Sequence, residues 1–260
     1  MTYEIVAVRY GTVRSHKSEL FYRYEAYGEP DASQDMDFFF YVLRRGEEVI
    51  VVDTGFRPLA AAPRGRECLT DPVQALARLG VDPARVSRLL ITHLHWDHIG
   101  NVEHFAAAEL FVPATELEFW SAPVARNLQF WAHVDPEAVA LILGAWREGR
   151  VTAIGEQQEI APGLSAITVG GHSPGQQVLC VETAGGRVVL ASDAVHLYEE
   201  LELERPFSVM VNLREMCEGY ELLKQLRAAG ASIVPGHDPL VSARYPDLGG
   251  DAAGLAFQIA

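Results

Sequence analysis

Thr92-His93-Leu94-His95-Trp96-Asp97-His98-Ile99-Gly100-Asn101 follows directly on the apolar run Leu89-Leu90-Ile91. That run reads as a buried strand, too short for a helix, so the polar stretch begins where the strand gives way to a loop. Residues at i and i+2 project the same way from extended backbone, which lets His93 and His95 grip one ion. Asp97 and His98 come where the chain must turn, and can face a second ion. Four ligand-type side chains this close would repel or stay unsatisfied without a cation. Imidazole and carboxylate together suit zinc or a similar borderline divalent metal.

Working outward, Asp53 lies in Val51-Val52-Asp53-Thr54-Gly55 and His172 in Gly171-His172-Ser173-Pro174-Gly175. Asp193 closes Leu190-Ala191-Ser192-Asp193, and His237 sits in Pro235-Gly236-His237-Asp238. Together with His93-x-His95-x-Asp97-His98 these motifs fall in the order of the metallo-β-lactamase superfamily, which the chain resembles from roughly Asp37 to Leu240. The resemblance implies an α/β fold, the four-layer αββα sandwich. It also implies two ions, one held by His93, His95 and His172 and the other by Asp97, His98 and His237, with Asp193 bridging. The expected metals are two Zn2+, or other divalent ions such as Fe, Mn or Co. Two such ions would share a water and generate hydroxide as nucleophile. By family position Asp97 would take its proton and pass it to the leaving group. A carboxylate after three apolar residues is costly to bury alone, so Asp53 is expected to support the ligands from behind, unless it is an exposed turn residue.

At 260 residues the natural expectation is one domain spanning 1–260. Lys plus Arg number 21 against 35 Asp plus Glu, a net charge of −14 that repels phosphate backbones and argues against a nucleic-acid partner. Met1 to Arg9 lacks the basic start, long apolar run and cleavage site of a secretion signal, and no stretch is long enough to span a bilayer. Cys68, Cys180 and Cys217 are widely spaced and read as packing residues in a reducing compartment. The expectation is a cytoplasmic protein without a membrane partner.

The alternation of elements agrees with a layered α/β chain. Strands are expected over Tyr3–Arg9, Leu20–Tyr27, Asp37–Leu43, Val49–Asp53, Glu109–Val112, Val151–Ile154, Leu164–Val169, Gln177–Glu182, Arg187–Leu190 and Ile233–Val234. Gly11 to Lys17 reads as a polar loop containing His16. Helices are expected from Thr70 to about Leu79, over Val102–Phe105 with His104 as a bystander, and over Leu213–Ala229. From 114 to 150 the character changes: Phe119, Trp120, Leu128, Phe130, Trp131 and Trp146 crowd a helical region broken by Pro123 and Pro136. It reads either as an amphipathic pair packing on the sandwich or as a cap insertion walling an apolar pocket, with His133 within reach of the site. The apolar N-terminal strands and this aromatic region could also support a homodimer.

The Asp97-His98 pair with His237 resembles the binuclear branch of quorum-quenching N-acyl homoserine lactone lactonases, pyridoxolactonases and glyoxalase II. Glyoxalase II carries a helical C-terminal domain, whereas only residues 238–260 follow His237 here. The expected function is therefore opening of a lactone, a small-molecule substrate with an apolar part. Lactonases of this group commonly place a tyrosine three residues after the bridging aspartate, to bond the substrate carbonyl. In Asp193-Ala194-Val195-His196-Leu197-Tyr198 that position is His196. Either His196 substitutes as donor or Tyr198 swings in. Three other functions stay open: hydrolysis of an amide, thioester or other electrophile on the same metals, iron-dependent redox chemistry, and non-catalytic metal binding.

Overall fold

Phe38 to Leu43 is apolar on both faces of an extended chain, which requires that both faces be covered. In the computed structural model, which describes residues 2–260, this is the case. Phe39, Tyr41 and Leu43 enter one apolar cluster, and Phe38, Phe40 and Val42 enter another on the opposite side. The strands are β1 (Glu4–His16), β2 (Ser33–Arg45), β3 (Glu48–Val52), β4 (Glu67–Cys68), β5 (Arg88–Leu90), β6 (Glu109–Pro113), β7 (Val151–Ile154), β8 (Gln157–Ala161), β9 (Leu164–Thr168), β10 (Gln177–Thr183), β11 (Gly186–Ser192), β12 (Ser232–Pro235) and β13 (Ala256–Gln258).

An eight-stranded sheet runs in the order β13-β1-β2-β3-β5-β6-β7, with β4 paired to β1, and a five-stranded sheet runs β12-β11-β10-β9-β8. The first is antiparallel at its β1–β2–β3 end and parallel from β3 through β7, where helical crossovers connect the strands. Ile50, Val52 and Leu90 of one sheet meet Leu179, Leu190 and Val234 of the other in the central layer. Leu76, Leu117 and Ile142 cover the outside of the first sheet, and Met216, Tyr220 and Leu223 the outside of the second. Helix, sheet, sheet and helix follow one another: the molecule is the αββα sandwich.

Two expected elements differ. Leu20–Tyr27 is not a strand: a helical turn over Lys17–Leu20 leads to a 3-10 turn over Tyr24–Tyr27. The aromatic spacing explains it, because Phe21, Tyr24 and Tyr27 recur every third residue and their rings meet in sequence at 6.1 and 5.9 Å. Arg23, at φ 52°, makes the left-handed turn between the two pieces. Gly11 to Lys17 is not a loop either: β1 continues to His16 in register with β2, past an irregularity at Arg9/Gly11. Its polar end leaves the sandwich, so Arg14 and His16 are solvated there and no apolar alternation marks the strand.

The region from 114 to 150 forms helices over Ala114–Ser121, Leu128–Trp131 and Pro136–Arg147, placed between β6 and β7. Pro136 opens the last of these behind Asp135, whose carboxylate accepts the Glu137 and Ala138 N–H groups. No helix among the described residues is long and apolar enough to cross a membrane.

Candidate metal centre

β5 ends at Leu90, and the chain stays extended through His93 and His95 before a helical turn over Trp96–Ile99. Leu94, between the two histidines, is fully buried in the outer core. Period-2 geometry then turns His93 and His95 to the other side, into the seam between the sheets' ends. Asp53 follows β3, His172 the loop after β9, Asp193 follows β11 and His237 follows β12. Asp53 and Ser192 both adopt the left-handed backbone, at φ 61° and 46°. Non-glycine residues there cost about 1–3 kcal/mol, a strain held by the surrounding packing where the strands hand over to the site.

Asp193 lies at the middle. Its Oδ1 is 3.2 Å from His98 Nε2 and 3.0 Å from His237 Nε2. Its Oδ2 is 3.3 Å from His172 Nε2, 3.2 Å from His196 Nε2 and 3.9 Å from His93 Nε2. His95 Nδ1 lies 2.8 Å from His172 Nε2. The Asp97 carboxylate stands on the Oδ1 side, 3.8 Å from His98 Nε2 and 4.0 Å from His237 Nε2. The two oxygens of one carboxylate thus divide the imidazoles into two groups.

Three of the rings are aimed from behind. His98 Nδ1 meets Asp53 Oδ2 at 2.8 Å, and that carboxylate also accepts the Thr92 N–H and hydroxyl at 2.8 Å each. His172 Nδ1 lies 2.9 Å from the Val209 carbonyl, and His237 Nδ1 2.9 Å from the Asp37 carbonyl. An outer acceptor on one ring nitrogen leaves the other free for an ion, the usual arrangement around protein-bound metals.

The donor set fits a divalent cation on electrostatic grounds. Among the described residues, Nε2 of His93, His98 and His196 is buried without a hydrogen-bond partner. Leaving such atoms unpaired costs about 1–3 kcal/mol apiece, which a shared cation would remove. Burial, with the His98 and His95 rings adding to it, pushes His93 well below the usual imidazole range, and burial brings His172 down to about 3. On the other side burial is outweighed: Asp193, Asp53 and Asp97 hold His98 well above its ordinary value, and Glu200 with Asp193 raises His196 to about 9. Asp193 is buried, yet the His237, His98 and His196 charges keep it well below the carboxylate range. The pocket draws in positive charge around one aspartate, and its neutral imidazoles are in the form that binds metal. The ligand atoms of His93, His95 and His172 lie within 4.8 Å of one another, as do those of Asp97, His98 and His237.

A cavity of about 460 Å3 opens over the cluster, lined by His95, Asp97, His172, Asp193 and His237 together with Trp96, Phe38 and Phe207. A smaller recess of about 190 Å3 adjoins it, with Trp120, Phe130, Met210 and Val211 along one part of its wall and Gln129 and Ser208 beside them, sharing His95, His133 and His172 with the main cavity. His133 stands beside His95, ring centroids 5.5 Å apart, and its carbonyl accepts the Trp96 N–H. His196 is buried, its ring stacked on Phe207 at 3.6 Å. Tyr198 lies elsewhere: it lines a separate depression with Glu199 and Asp238, beneath the Arg244 guanidinium at 3.8 Å. Tyr198 opens the helix Tyr198–Leu203, and its N–H donates to Asp238 Oδ2 at 2.8 Å, which seats it on that side and not in the cavity. His16 and His104 are exposed and do not line the cavity.

Sequence reasoning passed over Glu116 and Glu200. Glu116 is fully buried and accepts the Leu94 N–H at 2.9 Å, the Gly175 N–H at 2.7 Å and Trp120 Nε1 at 2.7 Å. It ties the loop of His93 and His95 to the loop of His172. Burial raises its carboxyl above the usual range, against the pull of those three donors. Glu200 accepts the His196 and Leu197 N–H groups and the Tyr220 hydroxyl. Only an isolated Glu116–Trp120 pair at i,i+4 hinted at the first, and nothing local marked the second.

Comparison with known proteins places this geometry in a family. The metallo-beta-lactamase superfamily model matches residues 39–242. N-acyl homoserine lactonase AiiA of Bacillus thuringiensis subsp. kurstaki is 30% identical over 183 residues, covering 65% of this chain and 68% of that protein. Metallo-beta-lactamase domain-containing protein 1 of Xenopus laevis is 30% identical over 202 residues, covering 76% of this chain and 69% of its own. Among solved structures, a quorum-quenching N-acyl homoserine lactone lactonase superposes with a TM-score of 0.77 at 25% identity, over 92% of this chain and 94% of that one.

Proposed function

We propose a substrate class for a chain that belongs to the metallo-beta-lactamase superfamily and is a metal-dependent hydrolase: it opens lactones, of which N-acyl homoserine lactones and related cyclic esters are the first to test. The observation that carries the reading is the recess beside the metal cluster, part of whose wall is aromatic and aliphatic. It gives a lactone's acyl tail a wall of Trp120, Phe130 and Met210 while the ring sits over Asp193. Similarity to N-acyl homoserine lactonases at 30% identity supports it.

His93, His95 and His172 would hold one ion and Asp97, His98 and His237 the other, with Asp193 between them. When bound, two zinc or similar divalent ions supply Lewis acidity at an ester carbonyl and lower the pKa of water. The chain does the rest. Asp97, at the cavity wall with its backbone carbonyl fixed by the Tyr10 hydroxyl at 2.6 Å, accepts a proton and returns it to the oxygen that leaves as the ring opens. Asp53, Val209 and Asp37 hold the imidazoles at fixed orientation, so little has to reorganise during the reaction. Leu117 and Ile142 pack the region from 114 to 150 on the first sheet, while its Trp120 and Phe130 close the acyl side against water.

The test is a pH-indicator assay on protein reconstituted with Zn2+, over γ-lactones of graded acyl length. Acid release that rises with chain length, and falls when Phe130 is exchanged for aspartate, is the expected result. No acid release from any lactone, with turnover of amides or thioesters instead, would move the substrate class while leaving the metal centre intact.

A further inference from the structure

His196 occupies the position where the resemblance led us to expect a substrate donor, but its surroundings are those of a ligand. Its Nε2 is buried and has no hydrogen-bond partner among the described residues. It points at Asp193 Oδ2, 3.2 Å away, on the same side as His172 at 3.3 Å. Two atoms bound about 2.0–2.1 Å from one ion stand roughly 2.9–3.4 Å apart, so both separations suit neighbouring ligands of a common cation. The ligand atoms of His172, Asp193 and His196 lie within 4.8 Å of one another.

The far side of the ring repeats the pattern of the other histidines. Nδ1 lies 3.4 Å from the Glu200 carboxylate, as His98 Nδ1 meets Asp53 and as His172 and His237 meet backbone carbonyls. Glu200 is itself fixed by the His196 and Leu197 N–H groups and by the Tyr220 hydroxyl at 2.9 Å. Phe207, stacked flat on the ring, stops it from turning away. A buried carboxylate, an imidazole locked in plane and a free nitrogen aimed at the bridging aspartate form the chain of contacts that orients a metal-binding histidine.

We infer that His196 is a further metal ligand, on the ion that shares Asp193 Oδ2 with His93, His95 and His172. This rests on the reading that the cluster holds metal. It makes the two positions unequal: four imidazoles and one carboxylate oxygen on the Oδ2 side face two imidazoles, the Asp97 carboxylate and Oδ1 on the other. The substrate carbonyl then has no contact from His196, whose free nitrogen is occupied.

The experiment titrates metal-free protein with Co2+ alone and follows the visible d–d absorption, with X-ray absorption to count coordinated imidazoles. Wild type should take up two equivalents. His196→Phe, which retains the stack on Phe207, should weaken one equivalent at least ten-fold, change the band and lose one imidazole from the count. Glu200→Gln leaves the imidazole in place but removes the carboxylate behind it, and should weaken the same equivalent by about ten-fold or more. Should His196→Phe fail to fold, the Glu200→Gln titration decides alone. Unchanged Co2+ affinity and spectrum in the folded variants, with only KM or kcat altered, would overturn the inference and return His196 to substrate. Wild type that takes up no Co2+ would overturn the metal-centre reading and this inference together.

Discussion

Replacing Gly100 with alanine should destabilise the protein far more than a methyl group ordinarily does. The residue has φ −59°, so backbone conformation does not demand glycine; space does. A Cβ there would stand 2.6 Å from the Arg57 nitrogen and 2.8 Å from both the Gly55 carbonyl oxygen and Phe56 Cα. All three are backbone atoms, which cannot swing aside. Restoring ordinary contact means moving the turn at 55–57 by about 1 Å, and overpacking of this kind costs about 1–3 kcal/mol. With three backbone contacts compressed at once, the upper end applies, about 3 kcal/mol. For a domain of this size that lowers Tm by roughly 6–12 °C. The same movement pulls at the Thr54 N–H bond to the His98 carbonyl, 2.6 Å, and at the Gly100 N–H bond to Gly55, 2.8 Å, so bound metal should fall as well. The control is Gly144→Ala within the helix Pro136–Arg147, where a Cβ meets nothing within 4 Å. That change should raise stability by up to about 1 kcal/mol through helix propensity. Melting curves of the two variants beside wild type make the comparison. A Gly100→Ala protein melting within 2 °C of wild type would refute the reasoning.

Two further substitutions probe the centre. Asp193→Asn keeps the shape but removes the charge that both groups of imidazoles face, and should bring metal below one equivalent per chain with activity down at least about a hundred-fold; full metal content by plasma mass spectrometry with retained turnover would sink the bridging assignment. Glu116→Gln offers one acceptor oxygen where two now serve three N–H donors, so at least one bond to a charged acceptor is lost, worth about 1.5–3 kcal/mol. Its urea midpoint should fall with m unchanged, and an unshifted midpoint would show that Glu116 does not tie the two loops together.

How far such a site can be read without coordinates depends on how local its cause is. His93, His95, Asp97 and His98 announce themselves because a strand end and one helical turn fix their relative directions within six residues. The sandwich is legible for a similar reason: stretches such as Phe38–Leu43 carry the doubly apolar pattern that only a covered sheet requires. Glu116 and Glu200 were not legible, since a glutamate in a helix looks solvated until the loops it serves are folded against it. Phe207, likewise, gains its role only when the chain returns to lay it on His196. The edge strand β8 escaped notice because Gln157-Gln158-Glu159 is polar, and an edge with one partner has little apolar surface to declare. The tyrosine-rich segment misled in the opposite sense, β propensity having been overruled by a three-residue repeat of aromatic packing.

The seam across which the cluster is built has a consequence for the order of events in biosynthesis. His93, His95, Asp97 and His98 leave the ribosome directly after β5 of the first sheet, while His172, Asp193 and His237 emerge later on loops of the second. A growing chain that ends before Asp193 carries His93, His95, Asp97, His98 and His172 but neither the shared carboxylate nor His237, so it offers a passing cation only a partial grip. Tight capture must wait until β11 and β12 have docked. On our assignment, metal enters a chain whose halves have already found each other and acts as a late clasp, and a nascent fragment is spared from harbouring a half-made, unguarded hydrolytic centre.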